Sequence, residues 1–248
     1  MGKTVAEQEP APVLAIGLGR GASGKSTLLM EAIWRARNQG RDPIVADGDT
    51  RSRTLTALFP DASQPSTEET ADGKAWITSL LNRAVKEKRS IVLDLGGGDK
   101  LLLDYGRDLQ LIPFCARRGI EPLALYVMGP EAEDLRHCLA IYEAGFFKPR
   151  RTVLILNEGV VRSGFTVAGA FEPTMNDPGF QRMVADGAVP ILLNRLPCMT
   201  QVRDGRVGFY GAASGDAGLD PVEEFLCESW LADLEDKRIK AGAAGWWP

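Results

Sequence analysis

Six short apolar runs punctuate the 248-residue chain, and the stretches between them carry apolar positions at helical spacing. The runs are Val13-Leu14-Ala15-Ile16-Gly17-Leu18, Pro43-Ile44-Val45-Ala46, Ser90-Ile91-Val92-Leu93, Pro122-Leu123-Ala124-Leu125-Tyr126-Val127-Met128, Thr152-Val153-Leu154-Ile155-Leu156 and Val189-Pro190-Ile191-Leu192-Leu193. They are continuous rather than alternating, which is the pattern of strands covered on both faces. Helices are predicted from residue 27 onward, then over 74–88, 100–118 and 131–147, and last over 221–239. This alternation predicts an α/β fold with a doubly wound, mainly parallel sheet flanked by helices. Residues 61–73 and 163–178 read as long irregular segments, and 205–218 is glycine-rich. No linker divides the chain, so a short tail over 1–11 and a single domain over 12–248 are expected.

Sheets of this kind bind ligands beyond the carboxyl ends of their strands. The first apolar run ends there in Gly19-Arg20-Gly21-Ala22-Ser23-Gly24-Lys25-Ser26, which fits the phosphate-loop pattern G-x-x-x-x-G-K-[ST]. A helix start follows at Thr27, so strand, glycine loop and helix N-terminus form an anion site. Backbone N–H groups of Gly21, Ala22, Ser23 and Gly24 are placed to cradle phosphate. Lys25 is placed to reach the β- and γ-phosphates, Ser26 to offer its hydroxyl to Mg²⁺, and Thr27 to contact the α-phosphate side.

Such a site also needs a carboxylate for Mg²⁺ or its waters. Ile91-Val92-Leu93-Asp94 is an apolar strand ending in one, the form of a Walker B element, which makes Asp94 the candidate. Gly96-Gly97-Gly98 follows at once and permits backbone conformations closed to other residues, as a nucleotide-sensing switch requires. Asp47-Gly48-Asp49 ends the second run. The carboxylates there have three readings: orienting the attacking water, contacting Mg²⁺ through water, or capping a helix over 50–59.

Composition narrows the class. A net charge of -4 excludes a chain-wide basic field. Cys115, Cys138, Cys198 and Cys227 are far apart with no C-x-x-C pair, as in reduced thiols of a cytoplasmic protein. No run of about 18 apolar residues suggests a membrane span, and residues 1–11 lack the apolar core of a signal peptide. Lys148-Pro149-Arg150-Arg151, with Arg117 and Arg118, reads either as a DNA patch or as cations at helix C-termini. The last predicted helix pairs an apolar stripe with an acidic face, which suits packing better than a membrane surface. His137, within a helix, reads as structural, and Trp246-Trp247 as packing or partner residues.

Taken together, these motifs resemble the ParA/MinD-type ATPases with a deviant Walker A loop. Residues 20–27 are similar to that family's K-G-G-x-G-K-[ST] element, Asp47-Gly48-Asp49-Thr50-Arg51 to its D-x-D-P-Q element, and Asp94-Leu95-Gly96-Gly97-Gly98 to its D-x-P-P-G switch. Asn157 resembles the family's base-recognising Asn, and Leu196-Pro197 a further nucleotide-side segment. The resemblance covers about residues 13–197. It implies a SIMIBI-like P-loop fold, ATP and Mg²⁺ as cofactors, and slow, partner-stimulated hydrolysis. It further implies an ATP-dependent homodimer with an adaptor or DNA-binding partner, serving plasmid or chromosome partition, conjugative mobilisation or protein positioning. The signature lysine, which in the family reaches the partner subunit's nucleotide, falls on Arg20. Arg keeps the charge but presents a planar fork. Ala22, Thr50 and Arg51 also depart from the pattern. A biosynthetic ligase similar to dethiobiotin synthetase, and an adaptor with a vestigial ATPase, are the alternatives on the same fold.

Overall fold

The computed structural model describes residues 10–49, 52–96 and 99–248. Most of the expected tail, together with Thr50, Arg51, Gly97 and Gly98, lies outside the described residues. All six apolar runs are strands: β1 (Val13–Leu18), β2 (Ile44–Asp47), β3 (Ile91–Asp94), β4 (Glu121–Met128), β5 (Arg151–Asn157) and β6 (Val189–Leu193). They form one sheet in the order β2-β3-β1-β4-β5-β6, and every pairing is parallel. β1 therefore lies centrally, between β3 and β4, and the loop that leaves it opens over the middle of the sheet.

Alternate side chains of each strand enter two apolar layers, which is why the runs are continuous. Leu14, Ile16 and Leu18 pack on one face with α3 (Thr70–Glu87) and α6 (Ala132–Ala144). The pair α4 (Asp99–Leu109) and α5 (Leu111–Arg118) and the pair α7 (Val167–Met175) and α8 (Pro178–Ala185) complete that layer. Val13 and Ala15 pack on the other face with α1 (Lys25–Asn38) and α2 (Thr54–Leu58). There α9 (Met199–Gly205), α10 (Gly208–Ala213) and α11 (Pro221–Lys240) finish the cover.

Three expectations are corrected. The single helix over 100–118 is two, because Gln110 takes a left-handed conformation (φ 53°, ψ 58°) that no α-helix continues through. The segment 163–178 is not irregular: Thr166 caps α7 by accepting from Gly169 N, and Phe171 and Thr174 bury its inner side. Helix α3 starts at Thr70, inside the stretch read as a loop. The final helix is as expected. Asp220 and Glu223 form a reciprocal capping box at its start, while Cys227, Trp230 and Leu234 are buried along it. Trp247 is buried and Trp246 half-buried against the α1–α11 layer, so the terminal pair packs on the domain. All four cysteines are free and buried. No helix among the described residues is long and apolar enough to cross a membrane.

Candidate functional site

The phosphate loop joins β1 to α1 above the centre of the sheet, with the ends of β3 and β5 close by. Its shape rests on Gly24, at φ 97°, where a Cβ would collide with the Asn157 amide. Lys25 is buried and folds back over the loop, donating 2.8 Å hydrogen bonds to the carbonyls of Gly19 and Arg20. Ser26 Oγ donates to Asp94 Oδ2 at 2.6 Å, and Asp94 Oδ1 accepts from Gly96 N at 2.9 Å. Asp94 thus links the loop, the strand end and the glycine turn in one network. Burial pushes its carboxyl above the ordinary aspartate range, against the Ser26 and Gly96 hydrogen bonds and the charge of Lys25. A cation beside Ser26 would relieve that desolvation.

A cleft of about 500 Å³ runs from the loop to the end of β6. Gly21, Ala22, Gly24, Lys25, Ser26 and Thr27 line one end, together with Asp49, Gly96 and Asn157. Leu193 to Leu196, Met199, Arg203 and Trp230 line the other. Trp230 Nε1 donates to Asn194 O at 2.7 Å and fixes the turn after β6. The sequence drew attention to Leu196 but missed Met199, Arg203 and Trp230. They come from α9 and α11, and no local motif marks them.

The two carboxylates after β2 separate. Asp47 is buried, and its oxygens accept from Asp49 N (3.1 Å), Thr56 N (2.8 Å) and Thr56 Oγ1 (3.0 Å). Its carboxylate holds the loop and the first turn of α2 and does not line the cleft. Asp49 does line it, positioned by Ser52, whose N–H and Oγ both donate to its carboxylate. Asp49 also abuts Gly96 (φ 60°), where a Cβ would lie 2.6 Å from Asp49 Cγ.

Asn157 is buried at the end of β5. Its Nδ2 donates to Ser23 O at 2.8 Å, and its Oδ1 accepts from Gly159 N at 2.9 Å. One amide hydrogen and one oxygen lone pair are thus committed to the loop and the following 3₁₀ turn, which fixes the amide and leaves a second donor and a second acceptor for a ligand in the cleft. The Ser23 hydroxyl is buried with no hydrogen-bond partner among the described residues. Arg20 is half-exposed and points away from the cleft. Its Nη1 lies 3.1 Å from Asp134 Oδ1, while Asp134 Oδ2 accepts from Gly129 N at 3.1 Å. Sequence reading missed Asp134. The available signal was an acid in the first turn of a helix right after β4, the strand beside β1.

The fold, a parallel sheet with the G-x-x-x-x-G-K-S loop after its central strand, resembles that of P-loop proteins. Among solved structures, a MinC:MinD cell division complex from Aquifex aeolicus superposes with a TM-score of 0.51 at 11% identity, over 91% of this chain and 96% of that one. MinD alone from the same organism gives 0.48 at 12%, over 89% and 95%. Chloroplast FtsY from Physcomitrella patens gives 0.44 at 18%, over 74% of this chain and 57% of that one. The chain thus spans little more than half of the FtsY chain, and at these identities the likeness is one of fold. No protein-family model and no curated protein matches the sequence.

Proposed function

We propose that this chain is a Mg²⁺-dependent ATPase of the ParA/MinD type, working as a nucleotide-switched dimer. The observation that carries the reading is the Lys25, Ser26 and Asp94 network at the mouth of a cleft that ends among apolar and polar side chains after β6. Phosphates would lie against the backbone N–H groups of residues 21–26, at the positive end of α1. Lys25 gives up two carbonyl acceptors and turns its ammonium to the phosphates. Ser26 and Asp94 would hold Mg²⁺, directly or through water, and the bound ion supplies charge neutralisation at the phosphate oxygens. Asp49, fixed by Ser52 and facing the cleft, orients the attacking water. The glycine turn after Asp94 carries the state of the site to the surface.

Arg20 takes the place of the family's signature lysine. For it to reach a second subunit's nucleotide, the Asp134 ion pair must open. Arg20 is half-exposed but Asp134 is buried, so opening the pair leaves that carboxylate with Gly129 N still donating to it, a cost the phosphate contact must outweigh. Plasmid or chromosome partition, conjugative mobilisation and protein positioning are the outputs consistent with such a switch. An adaptor or a DNA-binding protein is the kind of partner it would serve.

The test is light scattering on the full chain with Mg²⁺ and a non-hydrolysable ATP analogue, for wild type, Arg20→Ala and Lys25→Ala. A dimer in wild type that is absent in both variants supports the reading. A wild type that binds the analogue but stays monomeric overturns the dimer mechanism.

A further inference from the structure

A second cavity, of about 840 Å³, lies at the opposite end of the sheet from the phosphate loop. Residues at or just before the starts of β1, β2, β3 and β5 (Val13, Pro43, Ser90 and Arg151) form its floor. The C-terminal part of α1 and residues 244–248 wall it. The length of β1 alone, about 20 Å, separates it from the nucleotide cleft.

Five cationic side chains line this cavity, against two carboxylates, Asp42 and Glu87. Three of the five have acid partners: Arg35 with Glu235, Arg89 with Asp42 and Glu87, and Arg151 with Glu121. Arg41 and Lys88 meet no carboxylate in ion-pair contact among the described residues. Arg41 donates only to neutral oxygens, the Trp247 carbonyl at 3.3 Å and Gln39 Oε1. Burial, and after it the charge of Arg35, push the Arg41 guanidinium below its usual range, and the charge of Glu235 offsets this only in part. Trp247 also lines the cavity, while its indole N–H is buried in the layer beneath, under Arg238. A guanidinium beside a like charge and an ammonium on one cavity both favour an oxyanion with several acceptor atoms.

We propose that this cavity binds a small polyanion of the phosphate-ester or pyrophosphate class, held by Arg41 and Lys88 beside Trp247. The site is distinct from the nucleotide cleft and does not depend on ATP being the ligand there. Recognition is by charge-assisted hydrogen bonding, and no bond is made or broken.

The probe is inorganic pyrophosphate, added to the full chain carrying Lys25→Ala so that the phosphate loop does not compete. The readout is the ¹⁵N-resolved indole signal of Trp247, assigned by its loss in Trp247→Phe. Saturable movement of that signal is expected. Binding should weaken about tenfold or more in Arg41→Gln and in Lys88→Gln, the scale of one charge-assisted hydrogen bond. Lys88 is exposed at the end of α3, so its variant keeps the test informative should Arg41→Gln unfold on a thermal melt. No movement of the Trp247 signal, or movement unaffected by Lys88→Gln, overturns the proposal. Loss of ATP binding in an otherwise wild-type chain leaves it standing.

Discussion

Ala22 sits in the phosphate loop at φ 62°, a left-handed conformation that L-residues with a Cβ resist. The family the loop resembles has glycine there, so this chain carries local strain in the loop proposed to bind phosphate. Ala22→Gly is expected to stabilise the protein by about 1 kcal/mol, measured by urea unfolding. Gly96 gives a sharper test of chemistry. A methyl at that position crowds Asp49, so Gly96→Ala should lower kcat by about tenfold or more while nucleotide affinity changes little. Equal losses in kcat and affinity would show that Asp49 binds rather than positions. Lys25 and Ser26 were legible because motif spacing defines them, and Asp94 because it ends an apolar run. The division of labour between Asp47 and Asp49 was not, since it depends on Thr56, nine residues beyond Asp47 and contacted only when α2 folds back.

At the scale of elements, α1 and α11 are locked by a buried ion network. Arg238 and Glu31 are both fully buried and paired, and Arg35 grips Glu235 through two hydrogen bonds of 2.8 and 2.9 Å. Arg238→Ala strands the Glu31 carboxylate in the core and should cost about 3–5 kcal/mol in chemical denaturation. Replacing both by apolar residues, Glu31→Leu with Arg238→Met, should recover most of that loss. Glu235 feels burial, which would raise its pKa, but Arg35 and Arg238 outweigh it and hold it below the usual range. A carboxylate with a depressed folded pKa contributes stability above its unfolded value and loses it as pH falls through the folded one. Glu235→Gln should therefore lower Tm at neutral pH and flatten the decline of Tm below about pH 4.3, the ordinary glutamate value. None of this network was legible, because its partners lie about 200 residues apart in sequence. The strands were legible because each is a local apolar run. Helix α7 was not, because its Gly and Pro masked a short apolar face that packing stabilises.

At the scale of the molecule, both apolar layers seal their cysteines: Cys115 and Cys138 on one side of the sheet, Cys198 and Cys227 on the other. Burial pushes the Cys115 and Cys227 thiols up to about 12. A thiol-reactive disulfide reagent at pH 8 should therefore label the native chain at these two positions only as fast as it opens. Raising the pH to 9 should bring little acceleration if opening limits the rate, whereas attack on the closed protein would speed up about tenfold, since the thiolate fraction far below its pKa rises tenfold per pH unit. Fast labelling at either position would mean that the layer over it opens locally.

The placement of β1 between β3 and β4 also fixes an order of assembly. The loop at residues 19–26 is synthesised well before its supports. Asp94 lies 68 residues beyond Ser26, and Asn157 lies 134 residues beyond Ser23. Contacts of that separation close slowly, because the intervening chain must be ordered first. A nascent chain ending before β5 holds every residue of the loop motif and lacks the amide that fixes its shape. On the proposed function, nucleotide would thus favour the folded state only after Asn157 has left the ribosome, so ligand-assisted folding must wait for β5.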